Sequence, residues 1–337
     1  MKFCWDSSTL KSQKKMQAIV LHKVGDAGNL KVEKVGDVKP KKNEVLIKHT
    51  AIGVNFFDVA FRRAQYKTAQ LPAILGMEAC GVIEEVGADV KNYKVGERVA
   101  YATGGTGAYV EKRAIDARHL VVPPVGLTDV QVAGTLFKGL MAHALLHRVY
   151  IAKRAKRILV HAAAGGVGHI LCQWAKHLGL EVIGTVGSNE KINFAKDHGC
   201  DHVINYKTGN FVEELARITN NEGVGLVYDS VGKDTLEKSL ECLWPMGMCV
   251  AFGESSGATE KLDLNLLVTN SLYLTRPTMA LYKANRIELV LSADEVFAAV
   301  TKGIVKPKIT TYPFKDVARA HQALESRSSI GSIVLTF

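Results

Sequence analysis

The sequence predicts an α/β chain built from a partly closed β-barrel and a doubly wound parallel sheet. Three observations predict it. Up to about residue 127, short β-branched runs follow one another with Gly, Asp, Pro and Lys between them. From Thr128 onward, strand-like and helical runs alternate. The strand-like runs of this second part are apolar along nearly their whole length, as expected where helices cover both faces of a parallel sheet.

In chain order, "QAIVLH", "LKVEKV" and "NEVLIKHTAIGV" read as strands. One helical stretch, "NFFDVAFRRA", precedes "ACGVIEEVG", "ERVAYA" and "AYVEKRA", and so many short strands with glycines at the corners imply a barrel or sandwich. "LTDVQVAGTLFKGLMAHALLHRVY" is a long helical pattern with Thr128 or Asp129 as its N-cap. The alternation then runs through "RILVHA", "EVIGTV", "HVINY", "GVGLVYDS", "GMCVAFG" and "SLYLTR", with helical segments between. After Pro277 come helix, strand, helix and a last strand, "GSIVLTF". This tail lacks a large β partner of its own and is expected to fold back onto the barrel. The expected division is therefore a flexible tail over 1–15, a barrel from 16–127 together with 279–337, and a nucleotide-type domain over 128–278.

Composition narrows the setting. No run approaches the ~18 consecutive apolar residues of a membrane helix, and the basic opening "MKFCWDSSTLKSQKK" has no apolar core of a secretory signal. Six cysteines are scattered without a C-x-x-C pair, which points to reduced thiols and a cytoplasmic chain. The net charge of +10 raises the question of RNA. Arg148, Lys153, Arg154, Lys156 and Arg157 lie close together, but no aromatics interleave them, and a solvated helix end explains them more simply.

The sequence "RILVHAAAGGVGHI" joins the first strand of the alternating part to its helix. A dinucleotide loop needs three small positions: for the tight turn, for backbone approach to the pyrophosphate, and for helix–strand packing. Ala163, Gly165 and Gly168 fill them. A glycine loop alone says little, but this one sits between a strand and a helix within a βα run. NAD selection wants a carboxylate about twenty residues further on, where the chain instead reads "GTVGSNEK". Ser188 and Lys191 offer a hydrogen bond and a positive charge to a 2′-phosphate, which favours NADPH. Glu190 opens a helix, where an acid is ordinary charge compensation.

The order of parts resembles the medium-chain dehydrogenase/reductase superfamily, with its GroES-like barrel and Rossmann domain. "AIGVNFFD", "HAAAGGVG", "QWAKHLG", "VIGTVGSNEK", "VINY", "VYDSVGKDT", "FGESSGA" and "LYLTRP" are together similar to its zinc-free quinone oxidoreductase (zeta-crystallin) branch. The likeness runs from about Met16 to Phe337. In the superfamily's zinc alcohol dehydrogenases a "GxC" and a "GHE" turn hold the metal. Here those turns read "GVN" and "GME", so Asn55 and Met77 stand in place of thiolate and imidazole, and both are poor zinc ligands. The resemblance implies no zinc, and Met77 and Cys80 read as packing residues.

Without a Lewis acid to polarise an alcohol, the expected reaction is hydride delivery to an acceptor that is already electron-poor, a quinone or an α,β-unsaturated carbonyl. The resemblance puts Asn55 and Asp58 at the nicotinamide and Tyr66 in the acceptor pocket, its phenol a donor to a developing oxyanion. Read locally, Asn55 and Asp58 equally serve as caps of the helix they begin. For the nucleotide the resemblance implies Asn55, Gly165, Gly166, Val167, Gly168, Gly187, Ser188, Lys191, Tyr206, Val231, Phe252, Gly253, Ser255 and Ser256. Ala60, Met141 and Ala144 depart from the polar residues common among relatives, which implies a roomier and more apolar pocket. A homodimer is also implied, with "SLYLTR" as a pairing edge. The competing expectations are an enone or 2-alkenal reductase, and a non-catalytic protein that binds NADPH and RNA.

Overall fold

The structure is a computed structural model that describes residues 15–66, 70–259 and 261–337. The expected tail over 1–15 lies outside the described residues except for Lys15, which opens the first strand.

The N-terminal part carries β1 (Lys15–Leu21), β2 (Leu30–Gly36), β3 (Glu44–Val54), β4 (Ala73–Ile74), β5 (Glu78–Val86), β6 (Arg98–Tyr101) and β7 (Lys112–Asp116), with helix α1 (Phe56–Arg62) after β3. β1 joins β2 and β4 in a three-stranded sheet. The central strand of the barrel is β3, which pairs antiparallel with β5 along one edge. Its other edge is shared: β7 takes Glu44–Lys48, and the final strand of the chain, β15 (Ser332–Thr336), takes Ala51–Val54. Single bridges join Ala18 of β1 to Val110 and Ala100 of β6 to Val121, outside the named strands. Val45, Ile47, Ile52 and Val54 of β3 point into a core with Ile83, Tyr101 and Tyr109.

Helix α2 (Asp129–Ala144) opens the second part. Its start follows from a capping box: Thr128 Oγ1 accepts the Gln131 amide at 3.2 Å, and Gln131 Oε1 accepts the Thr128 amide at 2.9 Å. The helix ends in a π-helical turn, Leu145–Val149. Then come β8 (Arg157–Val160), α3 (Gly168–His177), β9 (Glu181–Val186), α4 (Glu190–Asp197), β10 (His202–Asn205), α5 (Phe211–Ile218), β11 (Val224–Asp229), α6 (Leu236–Glu241), β12 (Leu243–Ala251) and β13 (Tyr273–Thr275). The sheet order is β10-β9-β8-β11-β12-β13 and every pairing is parallel. The strand order reverses between β8 and β11, and the crevice outside the carboxyl ends of open α/β strands at such a point is where ligands bind. All six residues of β11 are buried, the pattern of a strand covered on both faces.

The tail consists of α7 (Met279–Tyr282), α8 (Arg286–Thr301), β14 (Ile309–Pro313), α9 (Val317–Glu325) and β15. In its last portion Phe314, Val317, Ala320, Ile333 and Leu335 share the barrel core. Helix α8 takes a different course from the one expected of the tail. Its stripe of Leu289, Ala293, Val296 and Phe297 recurs at helical spacing and packs with Leu136 and Leu140 of α2 in the core of the second part.

Candidate active site

A cleft runs between the barrel and the parallel sheet, at the carboxyl ends of β8 and β11. Asn55, Phe57, Ala60 and Tyr66 line it from the barrel side, and Phe137, Lys138 and Met141 from α2. The nucleotide side contributes Ala162, Ala164, the run Gly165–Gly168, Gly187, Lys191, Tyr206, Val231 and Phe252–Ser255. Leu324, Arg327, Ser329, Gly331 and Ile333 of the tail complete the wall.

The loop between β8 and α3 is built for close approach. A Cβ on Gly168 would lie 2.2 Å from the carbonyl oxygen of Ala162, so only glycine lets the helix start this near the strand end. The amide of Gly165 donates to that same carbonyl at 2.8 Å, which tightens the turn. Beneath it, buried His169 donates from Nδ1 to the Gly165 carbonyl at 2.7 Å. Burial lowers the His169 pKa to about 4, so the ring is neutral and acts as a fixed brace.

At the far end of the cleft, Lys191 in the first turn of α4 donates from Nζ to the main-chain carbonyls of Arg327 and Ser329. Burial pulls the lysine below its usual range, with Lys207 adding to the effect. Arg327 donates from Nη2 to the Ser255 carbonyl at 2.9 Å and lies 3.6 Å from Asp234. Two cations thus face this end. The sequence reading included Lys191 and missed Arg327, because "LESRSS" reads locally as a solvated helix end. Arg327 reaches the cleft by a backbone turn with φ of 53° just past α9, which no composition pattern signals.

At the opposite end, Asn55 is buried and donates from Nδ2 to Glu78 Oε1 at 2.9 Å. Tyr66 stacks obliquely with Phe57, ring centroids 5.0 Å apart, in an aromatic cluster that includes Phe61.

Three residues expected at the site are not among those that line the cleft. Asp58 is fully buried and does not line the cleft. Its carboxylate accepts the amides of Asn55 (2.9 Å) and Gly76 (3.1 Å) and the hydroxyl of Tyr109 (3.2 Å), so it caps α1 and ties it to the barrel. Ser256 Oγ donates to the Val231 carbonyl at 2.7 Å and accepts the Asp234 amide at 3.0 Å, which holds the loop from within. Ser188 closes the first turn of α4, its carbonyl accepting the Lys191 amide at 3.2 Å. Of the three apolar departures, Ala60 and Met141 line the cleft, whereas Ala144 is buried in the helix core and adds no room to it.

The "GME" turn and the strand that follows it divide into separate tasks. Met77 is half-buried. Cys80 donates to Asp129 Oδ1 at 3.4 Å, and burial pushes its thiol well up. Glu78, between them, is fully buried and meets Lys138 Nζ at 2.7 Å. Sequence reasoning passed over Glu78 and Lys138, since each looks ordinary alone and their sequence separation hides the pair. Among the described residues, no three His, Cys, Asp or Glu side chains converge in a metal-binding group. In the basic stretch, Arg148 is bound by Glu288 at 2.9 Å and Arg157 by Glu181 at 2.7 Å.

Two domain families match the chain. Residues 41–151 match the alcohol dehydrogenase GroES-like domain, and residues 166–292 match the zinc-binding dehydrogenase domain. Quinone oxidoreductase 1 of Escherichia coli is 42% identical over 321 residues, covering 94% of this chain and 98% of that protein. The chain belongs to the quinone oxidoreductase family. A relative of similar closeness, the 2-haloacrylate reductase of a Burkholderia species, is 42% identical over 328 residues, or 95% of this chain and 98% of the relative. The crystal structure of the Escherichia coli quinone oxidoreductase complexed with NADPH superposes with a TM-score of 0.92 at 41% identity, covering 95% of this chain and all of that one. In this family's fold the cleft described above lies between the GroES-like barrel and the Rossmann sheet. No helix among the described residues is long and apolar enough to cross a membrane.

Proposed function

We propose that this chain is an NADPH-dependent quinone reductase that works without a metal. One observation carries the reading: a single cleft joins a dinucleotide loop, a pair of cations and an aromatic, largely apolar end. The residues present fit the cofactor. Gly165, Gly166, Val167 and Gly168 would hold its pyrophosphate, Lys191 and Arg327 the 2′-phosphate, with Ser188 adjoining, and Tyr206 would border the adenine. Gly187, Val231, Phe252, Gly253 and Ser255 would flank its length, and Asn55 would meet the nicotinamide end. Bound there, NADPH supplies a hydride.

The chain's own residues then orient and protect. Phe57, Phe137 and Met141 exclude water and present a flat apolar surface to a conjugated ring. Tyr66 offers its hydroxyl as a hydrogen-bond donor to the oxygen that gains charge. Reduction of a quinone to a hydroquinone takes one hydride and one proton, so a donor at that oxygen acts where the charge develops. At the turns where a metal would be held, Asn55 is engaged with Glu78 and Met77 offers a thioether, neither a zinc-type donor. Stopped-flow oxidation of NADPH against ortho- and para-quinones tests the reading, and absence of turnover on every quinone refutes it.

A second reading has its own support in the cleft. Ala60 and Met141 leave the acceptor end without a polar side chain at either position, and one similar protein is named for reduction of 2-haloacrylate. A small conjugated carbonyl or acrylate is the alternative acceptor, and kcat/KM across quinones, alkenals and 2-haloacrylates separates the two. We further propose a homodimer in the cytoplasm, with 16–127 and 279–337 as the catalytic unit and 128–278 as the nucleotide-binding one. The edge strand β13 supports the pairing, since its Tyr273 is 57% exposed and Val268, shortly before it in the chain, is 72% exposed. Sedimentation of the chain and of a Tyr273→Lys variant tests it. The described cysteines are free and buried, as suits a reducing compartment.

A further inference from the structure

We propose that the buried ion pair Glu78–Lys138 is a positioning element for hydride transfer, acting through the Asn55 side chain. The inference rests on the reading of the cleft as a nicotinamide site and adds two residues to it.

The pair is expensive where it stands. Glu78 has no solvent exposure and Lys138 has 4%, and taking two charges out of water costs several kcal/mol each unless geometry and further hydrogen bonds compensate. Here they do. Glu78 Oε1 accepts both Lys138 Nζ at 2.7 Å and Asn55 Nδ2 at 2.9 Å. Its other oxygen accepts the amide of Phe137 at 2.8 Å. That amide lies in the middle of α2, where a regular helix would direct it to the carbonyl of Ala133. The carboxylate is thus wedged between the barrel and the first helix of the nucleotide part. The neighbouring chain has yielded space for it, since a Cβ on Gly53 would lie 2.1 Å from Glu78 Oε1.

The arrangement is more elaborate than packing requires. An apolar pair of the same volume would fill the space at lower cost. What the ion pair adds is direction. A carboxylate cannot donate, so the Asn55 amide is held with its nitrogen on Glu78 and its oxygen on the side of the first turn of α1, whose capping box the side chain joins. Asn55 lines the cleft, as does Lys138, whose stem runs beside the phosphate loop: a Cβ on Gly166 would meet Lys138 Cδ at 3.2 Å. The ion pair therefore fixes one amide orientation at the acceptor end, and ties it to the loop that would hold the pyrophosphate. A bound nicotinamide would meet a polar atom set in place beforehand.

The test uses Glu78→Gln, the double variant Glu78→Leu/Lys138→Met, which leaves no unpaired charge and protects the fold, and Asn55→Ala alone and combined with Glu78→Gln. Three quantities are measured: melting temperature, NADPH Kd by fluorescence, and the single-turnover hydride-transfer rate with NADPH deuterated at the transferred position. The expected result is a loss of about ten-fold or more in hydride transfer, with NADPH Kd held within about three-fold because the cation end is intact. The Asn55→Ala/Glu78→Gln double variant should be no slower than Asn55→Ala. A folded charge-free variant that transfers hydride at the wild-type rate overturns the proposal, as does full additivity with Asn55→Ala. Wild-type protein that transfers no hydride from NADPH to any quinone or conjugated carbonyl would instead refute the underlying functional reading, so the two failures are told apart.

Discussion

Lys191 Nζ lies 2.9 Å from the carbonyl oxygen of Ser329, so the cation facing the cleft is held by main-chain acceptors and, among the described residues, by no carboxylate. A carboxylate partner would have to be displaced before a phosphate could bind; a carbonyl leaves the charge uncompensated. Lys191→Glu is therefore expected to raise KM for NADPH by about 10- to 100-fold, the worth of a charge-assisted hydrogen bond. KM for NADH should change little, and an unchanged ratio of the two would remove the lysine from cofactor choice. Lys191→Met separates loss of the charge from loss of the tether to the tail.

Buried titratable groups set an acid limit. Burial lowers His49, His143 and His169 to about 4, and His321 to about 3. A depressed histidine contributes stability that is present above its unfolded value near 6.5 and is lost as pH falls toward the folded value. Asp58 has the opposite sign. Burial raises it to about 7 despite three donors, so its contribution is full below its unfolded value and is lost as pH rises through 7. Four histidines outweigh one aspartate, and stability should fall steeply from pH 6.5 to 4.5, at roughly 1.4 kcal/mol per pH unit for each net proton. Melting temperature against pH measures it. Asp58→Asn removes the opposing effect, so its stability relative to wild type should rise between pH 4.5 and 7.

The barrel, the α/β alternation and the phosphate loop were legible because each rests on local pattern: β-branched runs, continuous apolar strands, and small residues where backbone must approach backbone. The capping box of α2 was equally local. What the sequence hid depends on distant residues meeting. Asn55 and Asp58 read alike in a single turn, yet Asn55 reaches the cleft while Asp58 is turned into the barrel by Tyr109 and Gly76. The same holds for Glu78 with Lys138, sixty positions apart, and for Arg327. Ser256 sits in the right loop, but its hydroxyl is engaged by the Val231 carbonyl and the Asp234 amide, bonds that no spacing rule reports.

The phosphate loop gives a steric prediction. In Gly168→Ala the new methyl meets the main chain at Ala162 and Ala163, which cannot rotate away. The expected cost is about 1–3 kcal/mol of stability or more, together with loss of the NADPH-induced rise in melting temperature. In Gly166→Ala the methyl meets the stem of Lys138 at 3.2 Å and the Gly331 carbonyl oxygen at an ordinary 3.5 Å, so the fold should tolerate it far better. Differential scanning fluorimetry with and without NADPH distinguishes the two, and equal tolerance would mean that α3 does not abut the strand end as closely as described.

Acceptor size should be set by Ala60 and Met141, which face the cleft from α1 and α2. Ala60 is 5% exposed, so a larger side chain there has no route outward and must occupy the acceptor end. Ala60→Phe is expected to lower kcat/KM for polycyclic quinones by about ten-fold or more, since a lost fit of 1–3 kcal/mol has that effect. Small acceptors such as 2-alkenals or 2-haloacrylates should lose much less, because they do not need the space that the ring fills. NADPH Kd should be unchanged, the cation end being remote from this wall. A uniform loss across large and small acceptors would show that Ala60 supports α1 rather than shaping the pocket, and would leave Met141 as the determinant to vary next.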